Sequence, residues 1–176
     1  DDAVWLELPA GFRVPIIPEP VTADDARAAR ALLLDDLLGD FPFVSDSDRA
    51  HMLGAILLPF VRRMIDGPTP LHCIEAPTPG TGKGLLIDAL ALLAVGAVVP
   101  ARTLPEDEDE LRKAITSELQ TGRSIVLIDN ARERREIQSP ALMSVLTTTA
   151  WSDRLLGQNR MLELPNRAIW VLTGNN

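Results

Sequence analysis

Apolar and polar residues alternate with a different rhythm before and after about residue 70. Before that point apolar residues recur every three or four positions, which predicts amphipathic helices over residues 22–39 and about 48–65. Thr22 with an acid three residues later and Ser47 are the predicted N-caps of these helices. Residues 1–21 contain four prolines and are predicted to form an extended arm or linker, with one short strand at about 4–8.

After residue 70, short apolar runs alternate with longer amphipathic segments. The predicted strands are 71–75, 97–101, 124–129 and 168–173, and helices are predicted over 82–95, over 106–120 from a cap at Thr103, and from Ser139-Pro140 onward. Residues 154–156 and 161–164 are predicted to pair as a hairpin. Strands that alternate with helices indicate a three-layer α/β/α fold with a mostly parallel sheet, preceded by an N-terminal helical segment. The predicted divisions are 1–21, 22–67 and 68–176.

Composition and charge are ordinary for a globular chain and limit its class. The 176 residues are 46% hydrophobic and 24% charged, a balance that argues against disorder. The single cysteine, Cys73, excludes an internal disulfide framework. No apolar stretch reaches the roughly 20 residues that span a bilayer, so we expect a cytoplasmic protein without a membrane partner. The net charge of −8 would repel nucleic acid if it were spread evenly.

The segment 76–84, Ala-Pro-Thr-Pro-Gly-Thr-Gly-Lys-Gly, lies between a predicted strand and a predicted helix. Gly80 and Gly82 allow backbone conformations that are closed to other residues and a close approach to a ligand. Successive amides at a helix N-terminus, with the ammonium group of Lys83, are suited to binding phosphate. The competing interpretation is a tight Pro-Gly turn followed by a lysine that has no role at the site.

Two further predicted strands end in polar residues. The apolar run 124–128 ends at Asp129, and the run 168–173 is followed by Asn175. Parallel strands bring their carboxyl ends to one edge of the sheet, so both residues are expected near the glycine turn. There Asp129 can hold Mg²⁺, and Asn175 can orient a water near a phosphate. In the simpler interpretations, Asp129 ends its strand and caps the next turn, and Asn175 is a turn residue.

These three segments resemble the motifs of AAA+ P-loop ATPases. Residues 79–83 resemble Walker A, 127–129 resemble Walker B and 173–175 resemble sensor 1. A narrower resemblance, to which 153–157 and 165–168 also contribute, is to the superfamily 3 helicase-like ATPases of phage and mobile-element primase-helicases. The resemblance implies that ATP is bound by Pro79, Gly80, Thr81, Gly82, Lys83, Gly84 and Leu85, and that Lys83, Asp129, Asn130 and Asn175 are catalytic with Asp129 holding Mg²⁺. It also implies a ring-shaped homo-oligomer in DNA replication whose 153–164 hairpin contacts single-stranded DNA.

The motifs depart from the family pattern at three positions. Pro77 replaces the first glycine of Walker A, Gly84 replaces the Ser or Thr that ligates Mg²⁺, and Asn130 replaces the catalytic Glu. ATP binding therefore follows from the resemblance more firmly than hydrolysis, and the alternative function is a switch that binds ATP with little or no turnover. Because the chain ends just after sensor 1, we expect it to act as part of a longer protein.

Other function classes and features have weaker support in the sequence. A small-molecule kinase would need an arginine-rich lid, and a GTPase would need an Asn-Lys-x-Asp motif; neither pattern is present in the chain. The acidic run 106–110 is predicted to be a solvated helix start rather than a metal site. The arginines at 132, 134 and 135 are predicted to form a solvated face, with a subunit or DNA interface as the alternative.

Overall fold

The computed structural model describes residues 16–131, 137–155 and 159–175, with all side chains except those of 130 and 131. The predicted strand at 4–8, the arginines at 132, 134 and 135, and the hairpin tip at 156–158 lie outside the described residues. The chain divides into two compact units, residues 1–40 and residues 41–176. Helix α1 (Ala23–Ala31) and a π-helical segment (Leu32–Leu37) belong to the first unit.

Helix α1 begins with the predicted cap, Thr22. The Thr22 hydroxyl accepts a bond from the Asp25 amide, and the Asp25 carboxylate accepts one from the Thr22 amide, which is a complete capping box. The Thr22 hydroxyl also donates to that carboxylate, and these bonds lower the pKa of Asp25. One helix was predicted over 22–39, but the α-helix changes to π-helical hydrogen bonding at Leu32 and ends at Leu37.

Within its described residues, the second unit contains four α-helices and six strands. The helices are α2 (Asp46–Val61, followed by a 3₁₀ turn at Arg62–Met64), α3 (Lys83–Val95), α4 (Glu108–Gln120) and α5 (Pro140–Thr147). The strands are β1 (His72–Ala76), β2 (Ala101–Arg102), β3 (Ile125–Ala131), β4 (Ala150–Arg154), β5 (Met161–Pro165) and β6 (Ile169–Asn175).

Two predicted N-caps are wrong, and in both cases an acidic residue explains the difference. Helix α2 is capped by Ser45 rather than Ser47, because Ser45 has Asp48 three residues later to return the hydrogen bond. Helix α4 is capped by Asp107 rather than Thr103, and the Asp107 carboxylate accepts a bond from the Glu110 amide at 2.9 Å. The predicted cap of α5, Ser139, is confirmed.

The main sheet has four parallel strands in the order β1-β6-β3-β2. The mixed α/β class with a mostly parallel sheet is therefore confirmed. The strand predicted over 97–101 is shorter, since only Ala101 and Arg102 pair with β3. The hairpin is antiparallel as predicted, but its first strand is β4, at 150–154, rather than 154–156.

Both faces of the two central strands are buried. On one face, Val126, Ile128, Trp170 and Leu172 pack with apolar residues of α4, α5 and Trp151. Alternate residues of β3 and β6 point to the opposite face, and there Ile125, Leu127, Ile169 and Val171 are buried as well. Burial on both faces is what a layered α/β arrangement requires. Among the described helices, none is long and apolar enough to cross a membrane.

Candidate functional site

The turn between β1 and α3 has the backbone geometry expected of a glycine turn. Gly80 and Gly82 have φ values of 80° and 90°, in the left-handed region that favours glycine. Gly82 is also the N-cap of α3 and has no side chain to cap the first amides of that helix. The Thr81 hydroxyl donates to the carbonyl oxygen of Thr78 at 3.2 Å, a bond that closes the turn on itself.

Lys83 joins this turn to the end of β6. Its Nζ donates to Oδ1 of Asn175 at 2.7 Å and lies 3.4 Å from the Thr78 carbonyl oxygen. Strand register explains the contact, because Asn175 pairs with Ala76, the last residue before the turn. The structure thus brings together two of the predicted site residues, 92 positions apart in the chain.

Asp129 is held from the neighbouring strand. The Thr173 hydroxyl donates to Oδ1 of Asp129. Ile128 pairs with Leu172, so the next residue of β3 lies beside Thr173, and the regular register is interrupted between Ile128 and Ala131. Thr173 is 1% exposed, whereas Asp129 is exposed at the edge of the sheet.

The two charged groups are kept apart in this arrangement. Lys83 bonds to a neutral amide oxygen, and within the part of the chain that the structure describes no cation forms an ion pair with Asp129. An uncovered helix N-terminus and an ammonium group can attract an anion, and an accessible carboxylate is a ligand type that Mg²⁺ prefers. The donor set therefore fits a phosphate group together with a divalent cation.

The remaining predicted site residues lie along the same turn and strand edge. Pro79, Gly80 and Thr81 lie in the turn, while Gly84 and Leu85 follow Lys83 in the first turn of α3. A Cβ built at Gly80 or Gly84 would meet no atom within 4 Å, so the space beside the turn is open. The backbone of Asn130 is in β3, but its side chain lies outside the described residues.

A separate polar cluster, which we call the hairpin root, attaches β4 to α4. Arg112 Nη2 donates to Asp153 Oδ1 at 2.8 Å and lies over the Trp151 ring, with its Cζ 5.9 Å from the ring centroid. The Thr116 hydroxyl contacts Asp153 Oδ2 at 3.1 Å and accepts from the indole nitrogen of Trp151 at 2.9 Å. Burial alone would raise the pKa of Asp153, but the bond from Arg112 and the further bonds outweigh it, so the pKa lies below its ordinary value.

Asn166 fixes the end of the hairpin that leads into β6. It is 3% exposed, and its amide nitrogen donates to the carbonyl oxygens of Val145 and Thr148, the latter at 3.0 Å. Its Oδ1 accepts from the Trp170 indole nitrogen at 3.3 Å. The sequence predicts no separate role for Asn166, whereas in the structure it satisfies buried polar atoms.

The acidic run 106–110 serves two helix starts. Asp107 caps α4, and Glu108 Oε1 accepts from the Ala141 amide in the first turn of α5 at 2.6 Å. Glu110 pairs with Lys113 at 2.6 Å on the same helix. The acidic residues of this run therefore act at helix starts, as predicted, and three of them have specific partners in the structure.

One groove lies away from the glycine turn, between α4 and the hairpin. Its volume is about 670 Å³, and Lys113, Gln120 and Arg154 are among the residues that line it. None of the residues predicted for the nucleotide site lines this groove. Its cations Arg112 and Lys113 are already paired with acids.

The sequence does not predict the hydrogen bond between Thr173 and Asp129. Thr173 lies in the segment 173–175 that resembles sensor 1, and the sequence predicts no separate role for it. The available signal was its spacing, since Thr173 and Asn175 are two apart on one strand and so share a face.

Fold and site together define a mixed α/β protein in which polar strand ends meet a glycine turn at one edge of a parallel sheet. No protein-family model matches the chain, and a search of curated proteins gives no match. Among solved structures, the chain is similar to the A-form apo structure of the NrS-1 C-terminal region, with 16% identity and a TM-score of 0.43. The match covers 93% of this chain and 34% of the NrS-1 chain, so this chain spans about a third of the length of the NrS-1 chain. A likeness of this degree carries no functional argument.

Proposed function

We propose that this protein binds ATP with Mg²⁺ at the edge of the sheet formed by the carboxyl ends of β1, β6 and β3. The observation that carries the proposal is the meeting of Lys83 with Asn175 at 2.7 Å, beside a turn with two left-handed glycines. The residues of this arrangement belong to the three segments that resemble Walker A, Walker B and sensor 1. Chance placement of one lysine in a Pro-Gly turn would not produce this convergence.

The position of the turn within the sheet also supports the proposal. Strand β6 lies between β1 and β3, although it comes last of the four strands in the chain. Ligands of open parallel sheets bind outside the carboxyl ends of strands, where the strand order changes direction. The glycine turn follows the carboxyl end of β1, and α3 begins there with its N-terminus.

Each residue has a chemical part in the proposed binding. The turn amides and Lys83 would hold the phosphates, and Asn175, released from the lysine, would contact the terminal phosphate or its water. Asp129 would hold Mg²⁺, which when bound neutralises phosphate charge. Gly80 and Gly84 leave open space for the phosphates to approach the backbone.

The test is titration calorimetry with Mg·ATP on the chain and on Lys83→Ala. We expect binding heat from the natural chain and a loss of affinity of at least tenfold in the variant. Lys113→Ala is the matched control, because Lys113, the other lysine of the chain, belongs to α4 and pairs with Glu110. Equal heats from the natural chain and Lys83→Ala would contradict the proposal.

Whether ATP is hydrolysed separates two candidate functions. The first is an ATPase of the superfamily 3 type, within a longer oligomeric replication protein of phage or mobile-element origin. The second is a nucleotide-dependent switch, and it is favoured by Gly84, which offers no hydroxyl to the cation, and by Asn130 in place of a glutamate. Phosphate release measured under saturating Mg·ATP distinguishes them, and sedimentation with and without ATP tests the ring.

The hairpin 153–164 is proposed to contact single-stranded DNA in that assembly. Arg154 and Arg160 are exposed on it, outside the hairpin-root ion pair. Arg160→Ala should weaken binding to an oligothymidylate and lower the salt slope by about one counterion. Arg63→Ala, at an exposed site in the 3₁₀ turn, is the control, and identical salt slopes for Arg160→Ala and the natural chain would argue against a hairpin contact.

A further inference from the structure

The buried hydroxyl of Thr173 stands out on an apolar strand. Residues 169–172 of β6 are all buried and apolar, and Thr173 follows them at 1% exposure. A buried hydroxyl is unfavourable unless it is hydrogen-bonded, and this one donates to Oδ1 of Asp129. This hydroxyl therefore contacts the carboxylate that is proposed to hold Mg²⁺.

The strand pairing shows why such a contact is needed at this point. Regular pairing of β3 with β6 runs as far as Ile128 and Leu172, and is irregular until Ala131 pairs with Gly174. Asp129 lies at the start of this irregular stretch, where the ladder no longer fixes the direction of its side chain. The hydroxyl of Thr173, one position beyond the last regular pair, supplies that constraint.

The glycine turn has no hydroxyl at position 84, where the resembled ATPases have the Ser or Thr that binds Mg²⁺. Position 84, directly after the lysine, is glycine, so the first turn of α3 supplies no side-chain group toward the sheet edge there. The hydroxyl that contacts Asp129 comes from Thr173 of β6 instead.

We propose that Thr173 is a positioning residue for the metal site: its hydroxyl holds one oxygen of Asp129, so that the other oxygen is available to Mg²⁺ arriving with the nucleotide. The inference rests on the proposed ATP-binding function and adds a residue to it. Partners that orient a metal ligand commonly change metal affinity by about 10- to 100-fold when they are removed.

A merely structural role for Thr173 makes a different prediction. If the hydroxyl only satisfies a strand-end carboxylate, removing it lowers the melting temperature and leaves the metal dependence of nucleotide binding unchanged. If it positions Asp129, removing it shifts the metal dependence while nucleotide affinity without metal is kept.

The experiment compares Thr173→Val, which keeps the shape and removes the hydroxyl, with Thr173→Ser, which keeps the hydroxyl. A fluorescent ATP analogue is titrated in EDTA and over a range of Mg²⁺ concentrations, and Mn²⁺ binding in the presence of ATP is followed by electron paramagnetic resonance. For Thr173→Val we expect the Mg²⁺ and Mn²⁺ midpoints to rise about tenfold, with affinity in EDTA within twofold of the natural chain. Thr173→Ser should restore the midpoints.

The double variant Asp129→Asn, Thr173→Val tests whether Thr173 acts through Asp129. On that mechanism, Thr173→Val causes no further shift in the Asp129→Asn background. Unchanged metal midpoints in Thr173→Val, or an equal loss of affinity with and without metal, would overturn the inference. Should Thr173→Val fail to fold, Thr173→Ala is measured in its place against the same criteria.

Failure of the proposed function would be recognised separately. In that case the natural chain itself would show no nucleotide binding that Lys83→Ala removes, and both proposals would fall. If Lys83 matters for nucleotide binding but the Thr173 variants keep normal metal midpoints, only the positioning role is wrong.

Discussion

Two polar clusters of the second unit contain the same kinds of chemical group and use them differently. At the hairpin root, the carboxylate of Asp153 accepts a hydrogen bond from the guanidinium of Arg112 and lies 3.1 Å from the hydroxyl of Thr116. Carboxylate, cation and hydroxyl meet at one point. The side chain of Asp153 is 13% exposed, and its charge is neutralised within the protein.

At the edge of the sheet formed by the carboxyl ends of β1, β6 and β3, which we call the loop end, the same kinds of group form two separate contacts. The hydroxyl of Thr173 donates to the carboxylate of Asp129, while the cation of Lys83 bonds to the neutral amide of Asn175. The carboxylate is exposed and the lysine is half-buried.

The difference separates a structural anchor from the proposed binding site. A carboxylate that is neutralised by its own protein holds two elements together and has little affinity left for an external ion. A cation and a carboxylate that are held apart, each by a neutral partner, can still bind an anion and a metal from solution. The hairpin root should therefore control stability, and the loop end should control ligand affinity.

The largest expected effect is a loss of stability when Asn166, the buried polar residue at the end of the hairpin, is replaced. Asn166→Ala would leave the buried Val145 carbonyl, the part-buried Thr148 carbonyl and the Trp170 indole without their present partner. Each such group costs about 1–3 kcal/mol, so we expect a loss of about 2–4 kcal/mol in urea unfolding. Asn159→Ala, at an exposed hairpin position, is the control and should change stability by less than about 0.5 kcal/mol. Similar unfolding midpoints for both variants would refute this role for Asn166.

Neutralising one carboxylate in each cluster should give opposite results. Asp153→Asn should lower the free energy of unfolding by about 1–2 kcal/mol, because it removes the ion pair with Arg112, and should leave Mg·ATP affinity unchanged. Asp129→Asn keeps an oxygen for the Thr173 hydroxyl, so stability should change little while the Mg²⁺ dependence of ATP affinity is lost. Denaturation and calorimetry on both variants measure the two properties. A parallel loss of both properties in either variant would remove the distinction between anchor and site.

The parts of the site that the sequence predicted are those with local signals. Gly80, Gly82 and Lys83 lie within four residues, and their φ values and helix start follow from the glycine pattern itself. Asp129 and Asn175 were predicted from apolar runs that end in polar residues, because parallel strands align their carboxyl ends. The mixed α/β class follows from the same alternation of runs.

The contacts of the hairpin root could not be predicted, because they join residues distant in sequence. The Thr116 hydroxyl meets Trp151 and Asp153 at separations of 35 and 37 residues, set by how the hairpin packs on α4. The start of β4 at Ala150 was missed for a similar reason. Its register is fixed by pairing with Pro165, and no turn signal marks it.

A smaller effect is expected from adding the missing hydroxyl to the loop. The backbone of Gly84 is not left-handed, and a Cβ there meets no atom within 4 Å, so Gly84→Ser is sterically permitted. Serine should stabilise the first turn of α3 by about 0.5 kcal/mol relative to glycine and lower the Mg²⁺ midpoint of ATP binding. Gly84→Ala is the control, since it gives the helix gain without the hydroxyl. Equal metal midpoints for the serine and alanine variants would show that position 84 does not reach the cation.

The smallest expected effect is a pH dependence at the hairpin root. Despite burial, which raises the pKa of Asp153, its hydrogen bonds to Arg112 and neighbouring groups lower that pKa overall, so the folded state binds its proton less readily than the unfolded chain. Its contribution is therefore fully present above the unfolded value of about 3.9 and is lost as pH falls through the lower folded pKa. The stability difference between the natural chain and Asp153→Asn should be constant from pH 7 to about 5 and shrink below about 4, measured by urea unfolding at each pH. A difference that instead widens in acid would mean that the pKa of Asp153 is raised, and that burial rather than Arg112 dominates at this carboxylate.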